Sequence, residues 1–284
     1  MTDHLLGSHM STAGGMGKSI ERGESIGCTA IQVFVKGNTR WQFPPLKEAD
    51  IQAFRNGLER GKVRSVIAHS IYLVNLASNK PDILQKSIDD MVEELTRCEV
   101  LGIPGVVMHP GSHVGQGEEV GLNAIVAALD VIFDQTADMK AQVLLETTAG
   151  QGTNLGAKFE HLAHIIANVK HPHRLGVCLD TCHVFAAGYD FRTAADYKRL
   201  WAEFDTIIGR DRLKAIHLND SKFECGSRKD RHEHIGKGHI GLDGFRLLMN
   251  DKSLVSVPMV LETEKDDQMT EDVENMKVLR DLVK

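Results

Sequence analysis

The sequence predicts an α/β fold, a closed (β/α)8 barrel forming one domain over residues 1–284, and three observations carry that expectation. Eight short apolar runs each precede an amphipathic stretch, the alternation of a strand with its covering helix. The unit recurs roughly every 30 to 45 residues, the length of one strand, one helix and their loops. Six successive runs end on a side chain able to bind a divalent metal: His69, His109, Glu146, Asp180, His217 and Glu262. Active sites of such barrels lie at the C-terminal ends of the strands, so closing the ring gathers these six on one rim.

The first strand is expected over 4–8. GSHM at 7–10 has the form of the scar left when an expression tag is removed. It runs directly into STAGGMGKSIERGESIG, and LLGSHMS is needed as the opening strand, so it reads as native. Gly14 and Gly15 then open an amphipathic helix over 15–26. A strand over 30–36 leads to a helix over 47–60, and SVIAH (65–69) to one over 81–101. In this third helix Ile83, Leu84, Ile88, Met91, Val92, Leu95 and Cys98 fall at helical spacing, with the acids and bases on the opposite face, as in a helix covering a sheet from outside. GVVMH (105–109) precedes a helix over 118–136, QVLLE within strand 142–147 one over 158–169, and LGVCLD (175–180) one over 193–208. LKAIH within strand 213–218 precedes a helix over 242–250, and PMVLE (258–262) one over 270–283. That last helix starts at Thr270 as N-cap and sets Val273, Met276, Leu279 and Val283 on one side, closing the ring. An open doubly wound sheet alternates the same elements, but metal donors on six successive strand ends favour closure. No GxGxxG or GxxxxGK[ST] loop follows a strand, so no nucleotide cofactor is expected.

With 284 residues and 42% apolar content the chain can bury a full core. No run approaches a membrane span, no membrane partner is expected, and the N-terminus lacks a signal pattern. An intracellular, soluble protein is expected, cytoplasmic in a prokaryote. Five scattered cysteines without a CxxC pair read as reduced packing residues. The net charge of −6 counts against a nucleic-acid partner, since phosphate binding is driven by Lys and Arg. About three bound divalent ions would reverse the sign of the field at the mouth.

Three further candidates lie beside the strand-end set. His183 follows Asp180 in LDTCH, and Asp230 and His232 sit in the long loop 218–241, on the same rim. The nine residues supply five imidazoles and four carboxylates, a mixture suited to Zn2+, with Mn2+ or Fe2+ as competitors. Nine donors are too many for one tetrahedral ion and suit two or three ions, with a carboxylate bridging, an arrangement that fits in-line phosphoryl displacement. His113 and His234 are candidates to support these ligands, whereas His161, His164, His171 and His173 read as solvated surface.

Six long motifs extend the pattern: GSHMSTAGG (7–15), HSIYLVNLA (69–77), HPGSHVG (109–115), LLETTAGQGTNLG (144–156), GVCLDTCHVFAAGYD (176–190) and HLNDSKFECGSRKDRHEHIGKGHIG (217–241). In these the chain resembles, over nearly its whole length, the endonuclease IV (family 2) apurinic/apyrimidinic endonucleases. The resemblance implies a TIM barrel holding three Zn2+. It assigns His69, His109 and Glu146 to one zinc; Glu146, Asp180, His217 and Glu262 to a second; and His183, Asp230 and His232 to a third. It implies hydrolysis of the phosphodiester 5′ to an abasic site in double-stranded DNA, with Glu146 helping to orient the nucleophile. The products are a 3′-hydroxyl and a 5′-deoxyribose phosphate, and blocked 3′ ends are trimmed as well. Tyr72 and Leu73 match positions that wedge into DNA beside the lesion. In KGNTRWQ (36–42) Thr39 stands where the family commonly has arginine, and Arg40 is the neighbouring candidate for that role. Glu264 stands where the family often has proline. Two rivals share parts of the pattern: a divalent-metal sugar isomerase or epimerase, whose sites lack a third ion held by DxH on a long loop, and a non-catalytic DNA-binding or metal-storing protein.

Overall fold

Strands buried on both faces read as continuous apolar runs, and here each such run forms a parallel strand. A computed structural model describes residues 4–284. In chain order the elements are β1 (Leu6–His9), α1 (Met16–Ser25), β2 (Ala30–Val33), α2 (Glu48–Arg60), β3 (Ser65–His69), α3 (Pro81–Leu101), β4 (Gly105–Met108), β5 (Gly111–Ser112), α4 (Glu118–Gln135), β6 (Gln142–Glu146), β7 (Asn154–Leu155), α5 (Phe159–Asn168), β8 (Leu175–Asp180), α6 (Thr181–Ala187), α7 (Ala194–Ile207), β9 (Leu213–His217), β10 (Asp220–Ser221), β11 (His232–Glu233), α8 (Gly241–Met249), β12 (Met259–Leu261) and α9 (Thr270–Asp281). Eight of these strands close a barrel in the order β1-β12-β9-β8-β6-β4-β3-β2. The two-residue strands form separate antiparallel ladders on the loops, β5 with β7 and β10 with β11. Among the described residues no helix is long and apolar enough to cross a membrane.

The barrel interior is filled by Ala30, Ile67, Val107, Leu144, Cys178, Ala215 and Val260 from seven of the strands. β1 supplies no side chain to that layer because Gly7 stands there, paired in register with both Ala30 and Val260. A Cβ on Gly7 would lie 1.8 Å from the carbonyl oxygen of Ala30. GSHM is thus built into the ring, and Ser8 Oγ donates to Leu261 O across the seam. Gly7→Ala is expected to cost about 3 kcal/mol of stability in urea unfolding, because overpacking here moves backbone.

Three expectations need correction. The strand expected over 30–36 ends at Val33, because Arg97 rather than a neighbouring strand takes the Val35 carbonyl. A short helix, α6, follows β8 directly, before the expected one. The charged residues of the third helix are not all on its solvent face. Asp90, Glu94 and Arg97 are buried, each one residue before an apolar core position and so within the covered edge of the helix.

Lys36 Nζ reaches this edge, donating to Asp90 Oδ1 and, at 3.1 Å, to Glu93 Oε2. Burial, then the nearby charge of Asp90, holds the Glu94 carboxyl well above its usual range, and burial raises Asp90 as well. A group with a raised folded pKa contributes stability below its unfolded value and loses it as pH rises through the folded one. Glu94→Gln has no proton to lose. Relative to this variant, the parent chain is expected to lose a few degrees of melting temperature as pH is raised above the ordinary carboxylate range, followed by thermal unfolding.

Candidate metal centre

Parallel strands deliver their last side chains to one mouth. His69, Glu146, Asp180 and His217 are the final residues of β3, β6, β8 and β9, while His109 and Glu262 lie one residue past β4 and β12. Fully buried Glu146 is the hub. Its Oε2 lies 3.2 Å from His69 Nε2 and 3.1 Å from His109 Nε2, and its Oε1 lies 2.8 Å from His217 Nδ1 and 3.4 Å from His183 Nδ1. Glu262 Oε2 approaches His217 Nδ1 to 3.1 Å.

His183 arrives by a different route. Asp180 is the N-cap of α6, its Oδ1 accepting the His183 N–H at 2.8 Å, so the strand turns into a helix and swings His183 over the mouth. The β10–β11 ladder pairs Ser221 with His232 and brings the long loop back over the barrel. Asp230, whose N–H donates to Gln151 Oε1 at 3.0 Å, sets Oδ1 3.1 Å from His183 Nε2 and 3.6 Å from His232 Nε2. The nine residues thus form three donor groups: His69, His109 and Glu146; Glu146, Asp180, His217 and Glu262; and His183, Asp230 and His232. Within each, the donor atoms lie within 4.8 Å of one another.

The donor chemistry fits metal ions. A ligating histidine characteristically gives its second ring N–H to a carbonyl, which fixes the tautomer and aims the free nitrogen. His69 Nδ1 lies 2.8 Å from Ser70 O and His183 Nδ1 2.8 Å from Thr147 O, leaving each Nε2 facing a carboxylate. His217 Nε2 lies 2.8 Å from Gln32 Oε1, leaving Nδ1 between three carboxylates. Among the described residues the Nε2 atoms of His183 and His232 are buried and make no hydrogen bond, though both lie toward the Asp230 carboxylate. A fourth cluster joins Asp180, Cys182 and His232, but burial pushes the Cys182 thiol up to about 12, and its Sγ lies 3.5 Å from Arg231 O. Cys182 packs as a thiol.

Charge follows from this crowding. Burial opposes ionisation of Glu146, yet the charges of His217 and His109 hold its carboxyl well below the usual range. Burial likewise opposes ionisation of Asp230, and His183 nevertheless brings it down to about 2. Burial would lower His183, but the Asp180 and Asp230 charges raise it well above its ordinary value. Glu146 and Asp230 therefore stay ionised in the physiological range, ready to meet a cation, and a cation bound at His183 must displace the proton that its raised pKa favours.

Sequence reasoning missed two groups here. Gln32 of β2 donates to Glu262 Oε1 at 2.5 Å while accepting from His217, locking two donors together, and its Nε2 also lies 3.0 Å from His9 Nδ1. His9 ends β1, and its ring lies tilted against Phe34 at 4.4 Å between centroids. The strand-end rule reaches His9; a neutral glutamine inside a buried strand carries no such signal. Other expectations change. His161 is buried rather than solvated, with Nδ1 accepting the Gly156 N–H at 3.1 Å. His113 and His234 do not support ligands: His113 Nδ1 accepts from Gly117 N–H and His234 Nδ1 bonds Asn275.

A cavity of about 310 Å3 opens onto the donors, walled by Phe34, Tyr72, Thr263 and Lys265. Tyr72 stands 71% exposed on its rim beside Leu73, 38% exposed, and Arg40 lies exposed on the neighbouring loop.

The family described as xylose isomerase-like TIM barrel matches residues 20–282. The chain is 51% identical to a probable endonuclease 4 of Geotalea daltonii, over 100% of this chain and 99% of that protein. It is 48% identical to a probable endonuclease 4 of Geobacter sulfurreducens, over 100% and 96%. The crystal structure of endonuclease IV from Thermus thermophilus superimposes with a TM-score of 0.86 at 34% identity, covering 98% of each chain. A D-tagatose 3-epimerase-like protein, at a TM-score of 0.73 and 17% identity over 97% of this chain and 96% of that one, shares the fold.

Proposed function

The chain belongs to the endonuclease IV family and is a hydrolytic DNA endonuclease, and from that premise we propose that it hydrolyses the phosphodiester 5′ to an abasic site with zinc held by the nine residues of the mouth. The products are a 3′-hydroxyl and a 5′-deoxyribose phosphate, and the same centre trims blocked 3′ ends of double-stranded DNA. The observation that carries this reading is the convergence of three donor groups on one cavity, two of them sharing Glu146.

His69, His109 and Glu146 would hold one ion, Glu146 with Asp180, His217 and Glu262 a second, and His183, Asp230 and His232 a third. Bound zinc supplies Lewis acidity toward a phosphodiester and lowers the pKa of water. Glu146 orients the attacking water, because its ionised carboxylate is buried at the hub and accepts hydrogen bonds there. Tyr72 and Leu73 wedge into the duplex from the rim, and Arg40 enters the gap in place of the arginine that Thr39 replaces. An abasic nucleotide has no base stacking to lose, so extruding it costs less than extruding a normal one. The cavity walled by Phe34 and Tyr72 receives the sugar. The protein works as a monomer.

Metal analysis of the purified chain tests the zinc assignment. About three zinc ions per chain are expected, with incision lost on chelation and restored by zinc. Full activity in protein stripped of zinc and other divalent ions contradicts it.

A further inference from the structure

Lys36, Asp90 and Glu94 are buried side chains that the proposed chemistry leaves unused, and two loops of the mouth are attached to them. Glu94 Oε1 accepts the Ile71 N–H at 2.9 Å, immediately before Tyr72 and Leu73. Lys36 Nζ donates to Trp41 O at 2.9 Å, immediately after Arg40, and is held by Asp90 and Glu93. Arg97, paired with Glu93 Oε1 at 2.6 Å, donates to Phe43 O at 3.3 Å and Pro44 O at 2.6 Å on the same loop. All of these groups except Lys36 lie on α3, a helix of 21 residues packed between α2 and α4.

One helix thus holds the backbones of both rim loops. Buried ion pairs are poor stabilisers, because desolvation offsets their attraction and apolar residues would fill the space as well. What apolar residues cannot supply is directed hydrogen bonds to the Ile71 N–H and to the carbonyls of Trp41, Phe43 and Pro44. Loops fixed before binding need not be ordered at the moment of binding, which lowers the cost of association.

We propose that Lys36, Asp90, Glu94 and Arg97 are positioning residues for DNA, holding both loops at the height from which Tyr72, Leu73 and Arg40 enter the duplex. The proposal rests on the reading of the chain as an abasic-site endonuclease. A glutamine at Glu94 keeps an oxygen able to accept the Ile71 N–H and has nearly the same shape, whereas a leucine removes the acceptor.

The test compares Lys36→Met, Glu94→Leu and Glu94→Gln on a duplex with 2-aminopurine opposite an abasic site. It reads kcat, KM and the fluorescence rise that reports unstacking. Lys36→Met and Glu94→Leu are expected to raise KM, and to shift the midpoint of the fluorescence titration, about tenfold, with kcat within about threefold and metal content unchanged. Glu94→Gln stays within about twofold of the parent in both. In a Tyr72→Ala, Leu73→Ala background, Glu94→Leu changes KM by less than about twofold, because the loop then carries nothing to place. Should Lys36→Met or Glu94→Leu fail to fold, Arg97→Gln, which frees only the loop carbonyls and Glu93, is still expected to raise KM about threefold. Folded variants with the parent KM and fluorescence overturn the proposal, as does a fall in kcat at constant KM. A parent chain that neither incises nor unstacks the duplex overturns the endonuclease reading itself, and the positioning proposal with it.

Discussion

Glu146→Gln lowers incision of an abasic duplex by about a thousandfold or more, while the variant still unfolds cooperatively. The side chain is isosteric, so packing around it is preserved. What changes is charge and acceptor capacity at the hub. The ionised carboxylate faces His69, His109, His183 and His217 within 3.4 Å, and belongs to two of the three donor groups. An amide presents one oxygen instead of two and no negative charge, so on the proposed reading it would no longer serve both donor groups or orient the attacking water. Steady-state kinetics beside metal analysis checks this: both the rate and the metal content should fall. An unchanged rate would remove Glu146 from the chemistry.

Asp230→Asn, and independently His232→Ala, lower the incision rate about a hundredfold and remove about one metal ion per chain. The third donor group has only these two residues and His183, so the loss of one leaves too few donors for a closed tetrahedral site. The effect is smaller than at Glu146 because the two groups that share Glu146 remain complete. This prediction also separates the endonuclease reading from sugar isomerases and epimerases on the same barrel, whose centres lack a group held by a DxH loop. Full activity in both variants, with metal content unchanged, would show that the third group holds nothing the reaction needs.

The barrel and the donor groups were legible in sequence for one physical reason. A strand buried on both faces is uniformly apolar, so a His, Asp or Glu at its exit stands out, and six such exits define a rim. Features whose signal is local geometry were not legible. LDTCH places His183 three residues past the strand end but does not show that Asp180 caps α6 and folds His183 back over Glu146. Gln32 is neutral and lies inside β2, so nothing in its pattern announced that it joins His217 to Glu262. Asp90, Glu94 and Arg97 looked like a solvated helix face, because periodicity separates apolar from polar positions but does not reveal that loop backbone covers the boundary between them. His161 was misplaced for the same reason: its burial follows from the Gly156 N–H that needs an acceptor, a contact no sequence spacing encodes.

Metal-dependent incision at abasic sites by the donors of the mouth is tested most directly on a duplex bearing one abasic analogue, incubated with and without a strong chelator, with the new ends mapped. Cleavage that the chelator abolishes, leaving a 3′-hydroxyl immediately 5′ to the lesion, is the expected result. An intact duplex after incubation with protein holding about three metal ions per chain would contradict it.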